Sequence, residues 1–457
     1  MSAILGPGGA GGAECSVQLD TVRATGFLTR ASIREHVMLL AVVVSLGFAL
    51  RLAWIAFTQW EPLPDDDAFR YEFAARSLVN GEGYVHLNGA ATAFWPPGYP
   101  LLLATAYRFL GESIAVAQFM NVVFGTATVG LTYLIGRRTL GPAPAIVGAS
   151  IVAFFPSLIF LTGVTLSETT FTFLSLLGIY LLIIEAKQGR ERDLRLLIGA
   201  GLVLGLATLT RGQALLLPLV MVPFWLCSGL SRPLMFERLV AITLGIGLVI
   251  APWTIRNAAE LDAPVFISTN AGVNFWIGHN EGADGSGGQS AGAQLVYSHP
   301  ELSSVAREVR VNSEGFRKGI AYALTHPQEE LRLPFQKLFW LFYNDEEGLK
   351  WNDGHGAQSF MSASLRQGLV AVSNIYYFAM LGMVALGVRL WYSTKDAGKV
   401  LLISLVAYLT AVQLVFFGDP RFHAPIMPIA ALLAAPALVA LWSGKEPWTS
   451  PRDHDRA

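Results

Sequence analysis

Ten apolar runs restrict this chain more than any other feature: residues 38–57, 114–135, 145–161, 169–184, 194–209, 214–230, 239–255, 369–390, 400–417 and 424–442. Each approaches the ~20 residues that an α-helix needs to cross a bilayer. Inside hydrocarbon, backbone N–H and C=O groups must be satisfied internally, and for runs of this length a helix does that. Composition agrees, since only 14% of the 457 residues are charged and 53% are hydrophobic, against about a quarter charged in a soluble domain. The chain is expected to be an all-α polytopic membrane protein of about ten transmembrane helices.

Charge sets the expected orientation. Basic residues gather in alternate connections: Arg30 and Arg34, Arg137 and Arg138, Lys187 with Arg190 and Arg192, Arg232 and Arg238, Arg389 with Lys395 and Lys399, and Lys445 with Arg452 and Arg456. Positive loops stay cytoplasmic, so both termini are expected there and the intervening loops outside. The division that follows is a disordered tail at 1–36, a membrane region at 37–255 with an acidic first outer loop at 60–112, a large outer loop at 256–366, a second membrane region at 367–443, and a tail at 444–457. The first tail is rich in Gly, Ala and Ser, and no small-residue cleavage site follows the first apolar run, so it is not read as a cleaved leader.

Several function classes drop out early. A formal net charge of −1 gives no basic face for nucleic acid. Two cysteines, Cys15 and Cys227, build neither a disulfide framework nor a Cys-rich metal site. No repeat of fixed period and no inverted repeat is visible, which weakens a transporter reading. Gly201 and Gly205, four apart, read as small-residue helix packing. The Gly/Ser-rich patch at 282–292 matches no phosphate or calcium loop and reads as a mobile lid or linker. Two shorter apolar segments, 97–110 and 331–343, read as re-entrant or interfacial helices, with Trp340 and Tyr343 as headgroup anchors.

The polar residues that remain need an explanation. Asp65-Asp66-Asp67 stand just beyond the first apolar run, where ionised groups cannot enter hydrocarbon. With them on the expected outer side are Glu72, Glu168, Asp419, Arg70, Arg211, Arg256, Arg421 and His423. Arg51 lies inside the first run, between Leu50 and Leu52, and is expected to pair with a carboxylate or an anionic ligand. Glu168 either caps its own helix or faces a cavity. Singly these residues read as snorkelling or headgroup-anchoring side chains. Together, carboxylates beside arginines suit a reaction in which a carboxylate takes the proton of a hydroxyl while arginines hold a phosphate leaving group bidentately. A lipid-phosphate-linked sugar supplies such a leaving group.

The order of motifs resembles the polyprenyl-phosphate-dependent GT-C glycosyltransferases, the bacterial relatives of protein O-mannosyltransferases and of the lipid A aminoarabinose transferase. The motifs are Asp67-Ala68-Phe69-Arg70-Tyr71, Trp95-Pro96-Pro97-Gly98-Tyr99-Pro100, Ser167-Glu168, Leu209-Thr210-Arg211, Pro252-Trp253-Thr254-Ile255-Arg256-Asn257 and Asp419-Pro420-Arg421-Phe422-His423-Ala424-Pro425. The family usually has Tyr at the place of Phe422. The resemblance implies a GT-C-type bundle in the bacterial inner membrane, with its active site facing the periplasm. It implies Asp67 as general base, Arg211, Arg256 and Arg421 as candidates for the lipid phosphate, and Glu168 as a second acidic or cation-binding group; Asp66, Tyr71, Arg51 and His423 are the further residues expected to bind substrate. The implied activity is inverting transfer of a hexose or pentose from a polyprenyl-phosphate donor to a hydroxyl of an envelope lipid, glycan or protein. The clustered aspartates permit a divalent cation without requiring one, and no other cofactor is implied. A transporter or flippase of a lipid-linked saccharide is the alternative.

Overall fold

A computed structural model describes residues 30–64, 66–186, 193–288, 290–356, 358–391 and 396–443. Most of the first tail, the second tail, Asp65, the basic connection at 187–192, Lys395 and the basic residues Lys445, Arg452 and Arg456 lie outside the described residues. Among those described there are no named strands, only three isolated bridges. The chain begins with α1 (Arg30–Phe57), α2 (Asp67–Val79), α3 (Gly98–Leu110) and α4 (Ile114–Thr139). It continues with α5 (Pro142–Ala153), α6 (Pro156–Phe160), α7 (Glu168–Ala186), α8 (Leu194–Thr210), α9 (Met221–Cys227) and α10 (Arg232–Leu261). The segment between the two membrane regions carries α11 (Ala271–Gly278), α12 (Ser290–Val296), α13 (Ser304–Thr325), α14 (Pro327–Phe342) and α15 (Glu347–Asp353). Then come α16 (Ala363–Trp391), α17 (Ala397–Val415) and α18 (Met427–Ser443).

Each expected apolar run falls on helical structure. Seven helices among the described residues are long and apolar enough to span a bilayer, and an eighth span is bent by 58° between α5 and the segment Pro156–Gly163. The runs at 194–209 and 214–230 fall on the shorter apolar helices Leu194–Thr210 and Gly212–Cys227. Local chemistry explains the starts. Ser113 and Asp396 accept the N–H groups of Val116 and Lys399 at the heads of α4 and α17. Pro142 and Pro156 open α5 and α6, where a missing N–H costs nothing.

Packing in the bundle relies on small residues, because lipid tails offer no hydrophobic drive between helices. A Cβ on Gly201 would lie 2.4 Å from Ile242 O, and one on Gly245 would lie 2.6 Å from Ile198 O, so α8 and α10 touch backbone to backbone. Leu432 of the buried helix α18 fills the space that side chains on Gly136 and Gly148 would occupy. Near one end of α7, Glu185 receives the Arg238 Nε of α10 at 2.9 Å on both carboxylate oxygens. Both side chains are almost fully buried, at 0% and 1% exposure.

The bend between α5 and α6 corrects the expectation for Arg51. Breaking the helix at Phe154 and Phe155 frees the last carbonyls of α5. Arg51 donates to Ala153 O (3.1 Å) and Val152 O (3.2 Å), as well as to Gly47 O (3.0 Å) in its own helix. Among the described residues its hydrogen-bond partners are therefore backbone carbonyls, two of them at a negative helix end. Gly47 and Gly125 leave room for the guanidinium, since a Cβ on either would come within 3.3 Å of it.

The glycine-rich patch is also corrected. Gly285, with φ of +87°, lies against the backbone of Gln336 and Lys337, and Gly287 lies against the Phe417 ring. Ser286 pairs with Gly418, whose N–H donates to Gly285 O at 2.8 Å. Gly285 and Gly287 permit this close approach, at which three segments of the chain meet. Beside them, Lys337 is buried, donates to Leu414 O at 3.1 Å, and adjoins His279, which joins Glu330 (2.9 Å) to Val415 O (2.8 Å). These contacts fasten α11 and α14 to the end of α17.

Candidate active site

Two polar segments meet where the helices end. Asp66 and Asp67 open α2, yet Asp66, at the N-cap position, makes no side-chain cap bond. The Asp67 carboxylate leaves its helix: Trp95 Nε1 donates to Oδ1 at 3.1 Å and Arg421 Nη1 donates to Oδ2 at 3.1 Å. Its side chain is 34% exposed. Arg421 follows Asp419, whose carboxylate accepts the Arg421 N–H at 2.8 Å and so fixes the turn. The Arg421 Nε then lies 3.1 Å from Glu168 Oε1.

Glu168, the first residue of α7, joins Arg421 to a second arginine. Arg211, released at the C-terminal end of α8, donates to the same Oε1 at 2.6 Å and to Ser167 Oγ at 3.2 Å. Glu168 is only 2% exposed, and its second oxygen has no protein hydrogen-bond partner. It faces a small cavity also lined by Arg51, Thr128, Thr169 and Thr172. The four charges form a chain, Asp67–Arg421–Glu168–Arg211, with two carboxylates balancing two guanidinium groups. The Phe422 ring underlies both arginines, at 4.9 Å from Arg211 and 5.2 Å from Arg421, and Trp351 takes the Arg421 cation at 4.9 Å. Phe422 thus serves as a cation–π platform, a task that needs no hydroxyl.

Further groups ring this chain. Tyr71, one turn beyond Asp67, is buried edge-on against Tyr99. Burial, and then the charge of Asp67, push its hydroxyl well above the usual phenol range. His355 lies 3.2 Å from Asp66 and stacks on Trp351. Glu347 is buried and paired with Lys350 at 2.8 Å; burial, then the charge of Asp419, raise its carboxyl above the ordinary value. Trp95 is visible in the sequence as part of a motif, but its bond to Asp67 is not. Glu347, Lys350, Trp351 and His355 carry no signal of their own, because they reach the site from nearly three hundred residues beyond Asp66.

Three residues expected to bind substrate stand elsewhere. Arg256 donates to Tyr84 O and Thr92 O, both at 2.7 Å, and to its neighbour Asn257 at 3.1 Å, so it grips protein backbone. His423 is buried, bound to Leu341 O (2.8 Å) and Asp345 (2.9 Å) and stacked on Phe342 and Tyr377. Arg51 caps α5 and reaches the site only through the cavity behind Glu168. Asp67, Asp66, Tyr71, Glu168, Arg211 and Arg421 are the ones brought together. Among the described residues no group of three His, Cys, Asp or Glu side chains is placed to hold a metal ion. With both Asp67 oxygens facing N–H donors, the donor set fits recognition of an anion by guanidinium groups better than coordination of a cation.

Gly98 registers one half of this site against the other. A Cβ there would lie 2.5 Å from Thr210 N, so the start of α3, three residues beyond Trp95, packs directly on the chain that ends in Arg211.

Residues 95–255 match the family of dolichyl-phosphate-mannose-protein mannosyltransferases. Among solved structures, the chain is similar to the archaeal oligosaccharyltransferase AglB from Archaeoglobus fulgidus in complex with an inhibitory peptide and a dolichol-phosphate. The identity is 14% and the TM-score 0.58, over 91% of this chain and 51% of that one. The Archaeoglobus fulgidus oligosaccharyltransferase in complex with Zn and sulfate matches at 13% identity and a TM-score of 0.54, over 89% and 49%. ArnT from Cupriavidus metallidurans in the apo state matches at 15% identity and a TM-score of 0.41, over 87% and 78%. No curated protein sequence matches the chain. The chain spans about half the length of the oligosaccharyltransferases it matches. It therefore shares the fold of the Archaeoglobus fulgidus oligosaccharyltransferase, and residues 95–255 carry the sequence pattern of the mannosyltransferase family.

Proposed function

We propose that the chain is an inverting glycosyltransferase that moves a sugar from a polyprenyl-phosphate donor to an acceptor hydroxyl. The observation that carries this is the chain Asp67–Arg421–Glu168–Arg211, a part-exposed carboxylate paired with the first of two phosphate-competent arginines that share a buried anion. The similar archaeal oligosaccharyltransferase was solved with a dolichol-phosphate, which supports a lipid-phosphate donor. In the proposed reaction, Asp67 takes the acceptor's hydroxyl proton as its oxygen attacks the anomeric carbon. The bond from that carbon to the phosphate oxygen breaks, and the electron pair leaves on the lipid phosphate. Arg421 and Arg211 hold that developing charge in a partly desolvated setting, where fixed donors act more strongly than in water. Trp95 fixes the direction of the Asp67 carboxylate, and the resting Asp67–Arg421 pair opens when phosphate claims the guanidinium.

The proposed setting is the bacterial inner membrane, with the site facing the periplasm and an envelope lipid, glycan or protein as acceptor. Purified protein incubated with radiolabelled polyprenyl-phosphate hexose or pentose, and with membranes that supply the acceptor, should release polyprenyl phosphate and label the acceptor. Movement of intact donor across vesicles without cleavage would favour a flippase instead. Single cysteines placed at 66 and at the exposed position 281, in a Cys15→Ser/Cys227→Ser background, should react with an impermeant thiol reagent added from the periplasmic side. Reaction only after the inner membrane is opened would reverse the orientation.

A further inference from the structure

The segment from Tyr84 to Trp95 is a small hairpin held from outside the membrane region. Thr92 N donates to Tyr84 O, His86 N donates to Ala90 O, and Val85 pairs with Ala91. Its free end would otherwise be unsupported, yet it carries the indole that donates to Asp67. Two ionised side chains clamp it. Arg256 of α10 donates to the carbonyls of Tyr84 and Thr92, tying both arms together. Glu308 of α13 is buried and accepts four bonds: from Thr92 Oγ1 (2.7 Å), Ala93 N (2.8 Å), Thr269 Oγ1 (2.6 Å) and His86 Nε2 (2.9 Å). Burial alone would raise this carboxyl, but these bonds outweigh it and hold it below the ordinary carboxylate value. Tyr84 closes the loop by donating its hydroxyl to Trp95 O at 3.1 Å.

We infer that Glu308 and Arg256 are positioning residues: they clamp the 84–95 hairpin and thereby hold the Trp95 indole against Asp67. The inference rests on Asp67 being the reacting carboxylate. It gives the large loop after α10 a task in the reaction, although α13 supplies no residue to the Asp67–Arg421–Glu168–Arg211 chain. A carboxylate suits Glu308's position because it is acceptor-only and meets a donor on every side. Glu308→Gln keeps the shape but loses the charge, and an NH2 group in place of Oε2 keeps its two bonds only if the Thr92 hydroxyl and the His86 ring both turn round to accept.

The test joins hydrogen exchange with a double-mutant cycle on the full-length protein. In Glu308→Gln the amides of 84–95 should exchange about tenfold faster, as loss of a charged hydrogen bond implies. Release of polyprenyl phosphate from radiolabelled polyprenyl-phosphate hexose or pentose should slow about tenfold in kcat, with the donor KM changed by less than about twofold. Trp95→Phe should slow kcat to a similar degree, and the double variant should be no slower than the worse single one, because both act through one contact. Thr269→Val, which removes one of the four bonds, should show the same pattern at smaller amplitude and serves if Glu308→Gln does not accumulate. Additive losses in the double variant, or unchanged exchange at 84–95, would overturn the clamp. A fully active Asp67→Asn would instead overturn the proposed reaction, and the exchange result would still decide whether Glu308 holds the hairpin.

Discussion

Helix α7 carries a buried carboxylate near each end, and the two are built differently. Glu185 gives both oxygens to one arginine, Arg238, in a pair almost without solvent exposure. Glu168 gives one oxygen to two arginines, leaves the other without a hydrogen-bond partner among the described residues, and connects through Arg421 to the part-exposed Asp67. The first arrangement engages both carboxylate oxygens with one guanidinium and serves to hold helices together. The second has more cationic donors than its carboxylates need, and an incoming anion can claim them. Burial of charge is common to both, so what separates a structural pair from a reactive one is whether any partner can be exchanged.

If that contrast is right, the largest effect belongs to the exposed end of the open chain. Asp67→Asn keeps shape but accepts no proton, and kcat for release of polyprenyl phosphate should fall by about 10²–10⁴-fold. Binding of the polyprenyl-phosphate sugar, followed by equilibrium dialysis, should be largely retained. Near-normal turnover would demote Asp67 to an anchor for Trp95. Arg421→Lys keeps the charge but loses the planar fork that bridges Asp67 and Glu168. A drop of about 10²-fold in turnover, with normal accumulation in membranes, is expected; wild-type rates would remove Arg421 from phosphate.

The closed end should answer in a different measurement. Glu185→Gln leaves Arg238 buried without its anion, which typically costs about 3–5 kcal/mol of stability. Thermal unfolding in detergent should show that loss, while the folded fraction turns over normally. A turnover defect of the size seen for Arg421→Lys would erase the distinction between the two ends.

The smallest effect is expected from Lys337, another closed site. Burial lowers its pKa to about 8 from the ordinary 10.5, so between those values the unfolded chain binds more protons than the folded one. Stability should therefore rise as pH climbs from 8 toward 10.5 and be level below 8, where both states are protonated. A melting temperature that climbs by a few degrees over that window in the wild type, relative to Lys337→Met, is the expected signature. Parallel curves for the two proteins would show that folding leaves the Lys337 pKa unshifted.

Much of the bundle is legible from hydropathy, because lipid forces each long apolar run into a helix regardless of its neighbours. The acidic opening of α2 and the arginines at 211 and 421 also stand out, since charge beside apolar runs has few explanations. The residues whose partners differ from expectation share a cause. Arg51 and Arg256 were visible as charges, but their partners are backbone carbonyls, which every residue has and no sequence pattern marks. Glu308 and Glu347 look like ordinary surface acids in their amphipathic segments; His86, Glu308's partner, lies 222 residues away. The glycines at 285 and 287 read as flexible because their reason is the segment that approaches them, and that segment is remote.

Gly98 has a further consequence. Its missing methyl group lets the head of α3 rest on the Thr210 amide, so Trp95 on one side and Arg211 on the other are gauged from a single point of contact. An added side chain at 98 would act as a shim, spreading the two sides by a fraction of an ångström to an ångström without touching a charged group. Asp67 answers to the first side through Trp95, and Glu168 to the second through Arg211, with Arg421 spanning the gap between them. The tolerance of the reactive centre is therefore set outside it, by a residue with no chemistry at all.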